Sequence, residues 1–150
     1  MKFKTLFASA FFAALAVSAS AQTHKEGAEY YKADQLENAK ELLNRNFNNA
    51  GTDKAVANYY LGLIAVDEKK YDEARKYFEA GVQANPEYAY NYIGLGALAL
   101  KQGNVKEAQE QFKLGEKRVK KDPAAEIAIA RAYYCLLYTS PSPRDTERSR

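Results

Sequence analysis

The chain has 150 residues, 47% hydrophobic and 27% charged, with a formal net charge of +3, one cysteine, one histidine and no tryptophan. A lone cysteine excludes an intramolecular disulfide framework, and with a lone histidine it argues against a zinc site of ordinary ligand type. The positive excess sits at the two ends: setting aside Lys2, Lys4, Arg144, Asp145, Glu147, Arg148 and Arg150 leaves residues 22–134 formally neutral, so charge gives no reason to expect nucleic acid or an anionic membrane as partner.

At the N-terminus, Lys2 and Lys4 flank the start of an apolar stretch from Leu6 to Val17, and the small residues Ala19, Ser20 and Ala21 precede Gln22. This three-part pattern predicts a secretory signal peptide over residues 1–21, cleaved after Ala21. The apolar stretch falls short of the ~20 residues a spanning helix needs, so no stable membrane span is expected after cleavage. No cysteine stands near the cleavage site, which argues against a lipid-anchored form.

Beyond the leader, periodicity and punctuation predict helices at about 24–33, 36–48, 54–68, 71–84, 87–101, 104–120 and 124–134. Residues 49–53 form a loop with cap-type side chains, including Asn49, Thr52 and Asp53. Lys69 and Lys70 punctuate one helical pair, and Gln102, Gly103 and Asn104 punctuate the next. Asn85 before Pro86 and Asp122 before Pro123 each stop one helix and start another.

These helices repeat. Gly62 and Gly96, Ala74 and Ala108, and Phe78 and Phe112 are each 34 residues apart, while Gly27, Ala39 and Leu43 lie 35 residues before Gly62, Ala74 and Phe78. The pattern Leu61, Gly62, Tyr71, Ala74, Phe78 and Pro86, echoed by Tyr92, Leu95, Gly96, Ala108 and Phe112, resembles the tetratricopeptide repeat. The resemblance covers roughly residues 23–134, with a degenerate first copy and a third that runs long, since Pro123 follows Pro86 by 37. It implies an all-α solenoid of helical hairpins winding as a right-handed superhelix, with repeats at about 22–54, 55–88 and 89–122 and a partial fourth at 123–134. Packing supports the same architecture: the small residues let paired helices approach, Phe78 and Phe112 fill the volume beside them, and each pair's second apolar face is covered by the next pair.

From Cys135 the composition changes abruptly. Residues 135–145, Cys-Leu-Leu-Tyr-Thr-Ser-Pro-Ser-Pro-Arg-Asp, are similar to a translated transposon-end adapter of the kind used in sequencing libraries. Residues 135–150 are therefore expected to be a non-native tail, the preceding repeats a fragment of a longer protein, and the tail to pack poorly because Pro141 and Pro143 disrupt a helix.

No catalytic, cofactor-binding or metal-binding constellation emerges. His24 is isolated near the start of the first helix and reads as a solvated side chain. Carboxylates such as Asp67, Glu68, Asp72, Glu73, Glu107 and Glu110 alternate with Lys and Arg on polar helix faces, and Gly94 and Gly96 lie in a helix with no preceding strand, so they form no phosphate loop. Tyrosine is the enrichment, with 12 residues. The resemblance places a concave wall on the first helix of each pair, at Val56, Tyr59, Leu63, Val66 and Asp67, then Tyr90, Ile93, Ala97, Leu100 and Lys101. Tyr59, Leu63, Val66, Tyr90, Ile93 and Ala97 are the candidate groove for a protein or peptide partner, since tyrosine offers large contact area with a hydrogen-bonding tip; the competing reading has them packing between neighbouring helices. Family members that hold chaperone tails in a carboxylate clamp use Lys and Asn where this chain has Tyr59 and Leu63, or Ile93 and Ala97, so the resemblance does not extend to that subtype.

The expectation is an exported, non-enzymatic interaction scaffold or adaptor in the periplasm of a Gram-negative bacterium. The alternative is the N-terminal sensor or targeting module of a longer enzyme or signalling receptor. Glycan binding is disfavoured by the absence of tryptophan.

Overall fold

The computed structural model describes residues 23–119 and 122–139, with side chains described as far as Cys135. The expected leader and the end of the expected tail, residues 140–150, lie outside the described residues. Among the described residues seven helices follow one another: α1 (Thr23–Lys32), α2 (Leu36–Arg45), α3 (Lys54–Asp67), α4 (Tyr71–Ala84), α5 (Ala89–Lys101), α6 (Val105–Glu116) and α7 (Pro123–Thr139). No strand occurs among the described residues.

Side-chain caps start two of the helices. The Asp53 carboxylate accepts from the Ala55 and Val56 N–H groups at 2.9 and 3.2 Å and starts α3; Asp122 does the same for Ala124 and Ala125, with Pro123 in the first helical position. Each such cap is worth about 1 kcal/mol. Three predicted ends move by three residues or more. α2 stops at Arg45 rather than near 48, where the Asn46 side chain donates to the Leu42 carbonyl and Thr52 Oγ1 donates to the Asn46 carbonyl. α6 stops at Glu116 rather than near 120, where Arg118 turns back to donate to the carbonyls of Leu114 and Pro86. α7 runs five residues past 134, so the backbone crosses the compositional break at Cys135 without leaving the helix.

α1 with α2, α3 with α4 and α5 with α6 form three antiparallel hairpins, and α7 opens a fourth unit. Their turns share one device: Asp34, Lys69 and Gly103, successive copies of one repeat position, all have left-handed backbone, with φ of 59°, 61° and 78°. Only the third copy is a glycine, the residue for which that conformation carries no Cβ penalty.

The hairpins stack in two layers. The first helices α1, α3, α5 and α7 touch in series, whereas the backbones of α2, α4 and α6 scarcely approach one another. An array closer on one side curves toward that side, which puts the first helices on the inner wall. Long side chains bridge the wider outer layer: Lys40 Nζ pairs with Glu68 at 2.7 Å, and Arg75 donates to Glu107 at 2.6 Å and to Gln102 at 3.1 Å. Lys40 and Lys70 together hold the Glu68 carboxyl below the ordinary carboxylate range.

Small and large residues interlock at the core. Ala39, Ala74, Ala108, Leu43, Phe78 and Phe112 have no exposed surface. The Phe78 ring lies against the backbone of both Gly62 and Gly94, where an added Cβ would come within 2.5 Å of it, so one side chain welds its own repeat to the next. Gly81 accommodates the fully buried Asn91, whose Nδ2 donates to the Ala55 carbonyl at 3.1 Å. The repeated fold expected from the sequence is thus present, and it presents the α3, α5 and α7 faces as one wall.

Candidate functional site

The wall begins with aromatic rings. Tyr59 of α3 has ring centroids of Tyr60, Phe78, Tyr88 and Tyr90 at 5.2, 6.2, 6.1 and 5.4 Å, and Tyr88 and Tyr90 are 5.1 Å apart. Tyr31 joins through Tyr60 at 5.7 Å. The sequence produces this cluster by placing Tyr59 and Tyr60 side by side on α3 and Tyr88 and Tyr90 around the start of α5, one repeat further on. Leu63 and Val66 continue along α3, half-buried against the Phe78 cluster.

The rings have polar tips directed at acids. The Tyr31 hydroxyl donates to Asp67 Oδ2 at 2.9 Å, that of Tyr90 to Asp122 Oδ2 at 3.4 Å, and that of Tyr133 to Glu116 Oε2 at 3.1 Å. Burial, reinforced by the neighbouring phenols and acids, pushes the Tyr31, Tyr59 and Tyr88 hydroxyls far above their usual range and Tyr90 up to about 12. At neutral pH these groups are protonated, and they act as apolar faces with donor tips rather than as bases.

Further along, the wall changes character. Ile93 is buried, Ala97 is exposed, and with Leu100 they border a cavity of about 450 Å³ whose floor reaches Phe112. Its far side comes from α7, through Ala128, Arg131 and Ala132, with Cys135 at the rim. Lys101 and Arg131 are the charged residues that line it.

All six candidate groove residues therefore lie on the α3–α5 wall, in two different settings. Tyr59, Leu63, Val66 and Tyr90 fill a crevice, whereas Ile93 and Ala97 border an open one. Sequence mapping missed the α7 contribution because it carried the wall over α3 and α5 alone; α7, the next first helix, was open to the same mapping. His24 is half-exposed, and its Nδ1 accepts from the Asp53 N–H at 3.3 Å in an exposed contact that ties α1 to the cap of α3. Among the described residues, no group of three or more His, Cys, Asp or Glu side chains converges, and no helix is long and apolar enough to cross a membrane.

Two family models match the chain, each described as a tetratricopeptide repeat, one over residues 24–89 and the other over residues 65–132. No curated protein matches it.

Proposed function

Since the chain is a tetratricopeptide-repeat protein across residues 24–132, we propose that it works as a protein-interaction scaffold or adaptor of the bacterial envelope, exported to the periplasm and engaging partners along the α3–α5–α7 wall. One observation carries the interaction reading: the wall holds, beside exposed Ala97, a largely apolar cavity of about 450 Å³, within the size range of ordinary binding pockets. Export rests on the basic, apolar and small-residue order of residues 1–21.

The two halves of the proposal are tested separately. Expression of the full chain in a Gram-negative host should yield a periplasmic product beginning at Gln22; a cytoplasmic product retaining Met1 would overturn export. Affinity capture from envelope extract should recover partners with wild type and lose them with Ala97→Arg, which sets a charge in the wall without touching the core. Identical partner profiles would remove the wall from the binding surface.

A further inference from the structure

We infer that the cavity between α5 and α7 receives a bulky apolar side chain of a partner peptide that carries an acidic residue beside it. The inference rests on the reading of the inner wall as an interaction surface and specifies what that surface recognises.

The difference between two copies of one frame supports it. Positions 59, 63, 67 and 78 recur 34 residues later as 93, 97, 101 and 112. In the earlier copy the space above Phe78 is filled from within, by the Tyr59 ring at 6.2 Å and by Leu63 in the same cluster. In the later copy Ile93 stands for the tyrosine and Ala97 for the leucine, and α7 faces them with the methyl groups of Ala128 and Ala132. The side chains that fill this volume one repeat earlier are absent here, and a cavity of about 450 Å³ lies between α5 and α7 over the fully buried Phe112. That lies within the ~300–1,000 Å³ of ordinary ligand pockets. An apolar group entering it would replace the contacts that Tyr59 and Leu63 make one repeat earlier.

Charge supplies the second half of the recognition. At the edge of the earlier crevice stands Asp67, already bound by the Tyr31 hydroxyl; its counterpart in the later one is Lys101. Arg131 reaches the same cavity from α7, and among the described residues no carboxylate lines it. Among the described residues neither cation is paired with an acid. An apolar side chain seated between Ala97 and Ala132 would carry its neighbouring residue past these two cations, which an acidic residue satisfies and a basic one opposes.

A random peptide library displayed on phage and selected against the full chain tests this directly. Wild type should enrich peptides with an aromatic or leucine residue within two positions of Asp or Glu. Ala97→Leu restores the residue of the earlier repeat and should abolish that enrichment, lowering affinity for a selected peptide by about tenfold or more. Lys101→Glu/Arg131→Glu should turn the enriched neighbour from acidic to basic. Both cation positions are exposed, so this second variant keeps the test valid if Ala97→Leu lowers the melting temperature. Selection of no motif, or of one unchanged in both variants, overturns the inference. A motif that survives both but disappears with Ala97→Arg overturns the pocket while leaving the wall as the binding surface.

Discussion

The crevice between α3 and α5 and the crevice between α5 and α7 are built on the same frame, a phenylalanine from the second helix lying against a glycine of its own first helix, yet rings close one and the other stands open. Between these two repeats the frame positions keep their identity: Gly62 and Gly96, Ala74 and Ala108, Phe78 and Phe112, Gly81 and Gly115. The wall positions do not, with tyrosine replaced by isoleucine at 93, leucine by alanine at 97 and aspartate by lysine at 101. The first crevice therefore spends its apolar surface on holding neighbouring repeats together. The second leaves its surface accessible. On the proposed reading, interaction specificity belongs where the frame is retained and the filling is lost.

Alkali should produce the largest difference between the crevices. Tyr31, Tyr59, Tyr60, Tyr88 and Tyr90 gather at the first, all with phenols raised above the usual 10, whereas among the described residues no tyrosine lines the open cavity of the second. A phenol that binds its proton more tightly when folded contributes stability fully present below pH 10 and lost as pH climbs toward the folded value, about 12 for Tyr90. Helicity followed by circular dichroism should fall across that window together with rising phenolate absorbance, and Tyr59→Phe/Tyr88→Phe should delay the loss. Phenolate appearing near pH 10 with helicity intact would mean the cluster is open to solvent.

Next in size is Phe78→Ala, expected to cost about 3–5 kcal/mol in urea denaturation. Phe112→Ala should fall toward the lower end of that range, because its ring seats against one glycine, Gly96, where that of Phe78 seats against two; an equal or greater loss would break the comparison. Tyr59→Ala should follow at about 2–3 kcal/mol, since it forfeits contact with four rings, and Tyr90→Ala at about half of that. Equal losses would place Tyr59 on the surface. The smallest effect is a gain: Lys69→Gly should raise stability by about 1 kcal/mol by relieving its left-handed backbone, measurable as a higher melting temperature.

The number and type of the helices were legible because the 34-residue spacing repeats the same small and aromatic residues, and tertiary stacking then has only one way to cover each hairpin. Helix ends were less so: Asn46 and Arg118 stop their helices through side-chain bonds to backbone carbonyls that depend on where other loops lie. Gly81 and Gly115 passed unremarked, since an isolated helical glycine declares its purpose only when the side chain opposite it, Asn91 or Ile129, is known. The left-handed turns at Asp34 and Lys69 carry no glycine, so alignment with Gly103 was their one signal. At the wall the residue types were readable, but periodicity alone does not separate Tyr59, held among four rings, from exposed Ala97.

The bonds that tie each repeat to the next are short in sequence: Tyr133 to Glu116 spans 17 residues, Lys40 to Glu68 spans 28, and Tyr31 to Asp67 and Asn91 to Ala55 span 36. Loop closure over such distances costs little entropy and is paid piecemeal, one hairpin and one neighbour at a time. Folding of this chain is therefore expected to be fast and to start at any hairpin able to seat its aromatic residue. Each further repeat would add length to the array without lengthening the search that any one of them must make.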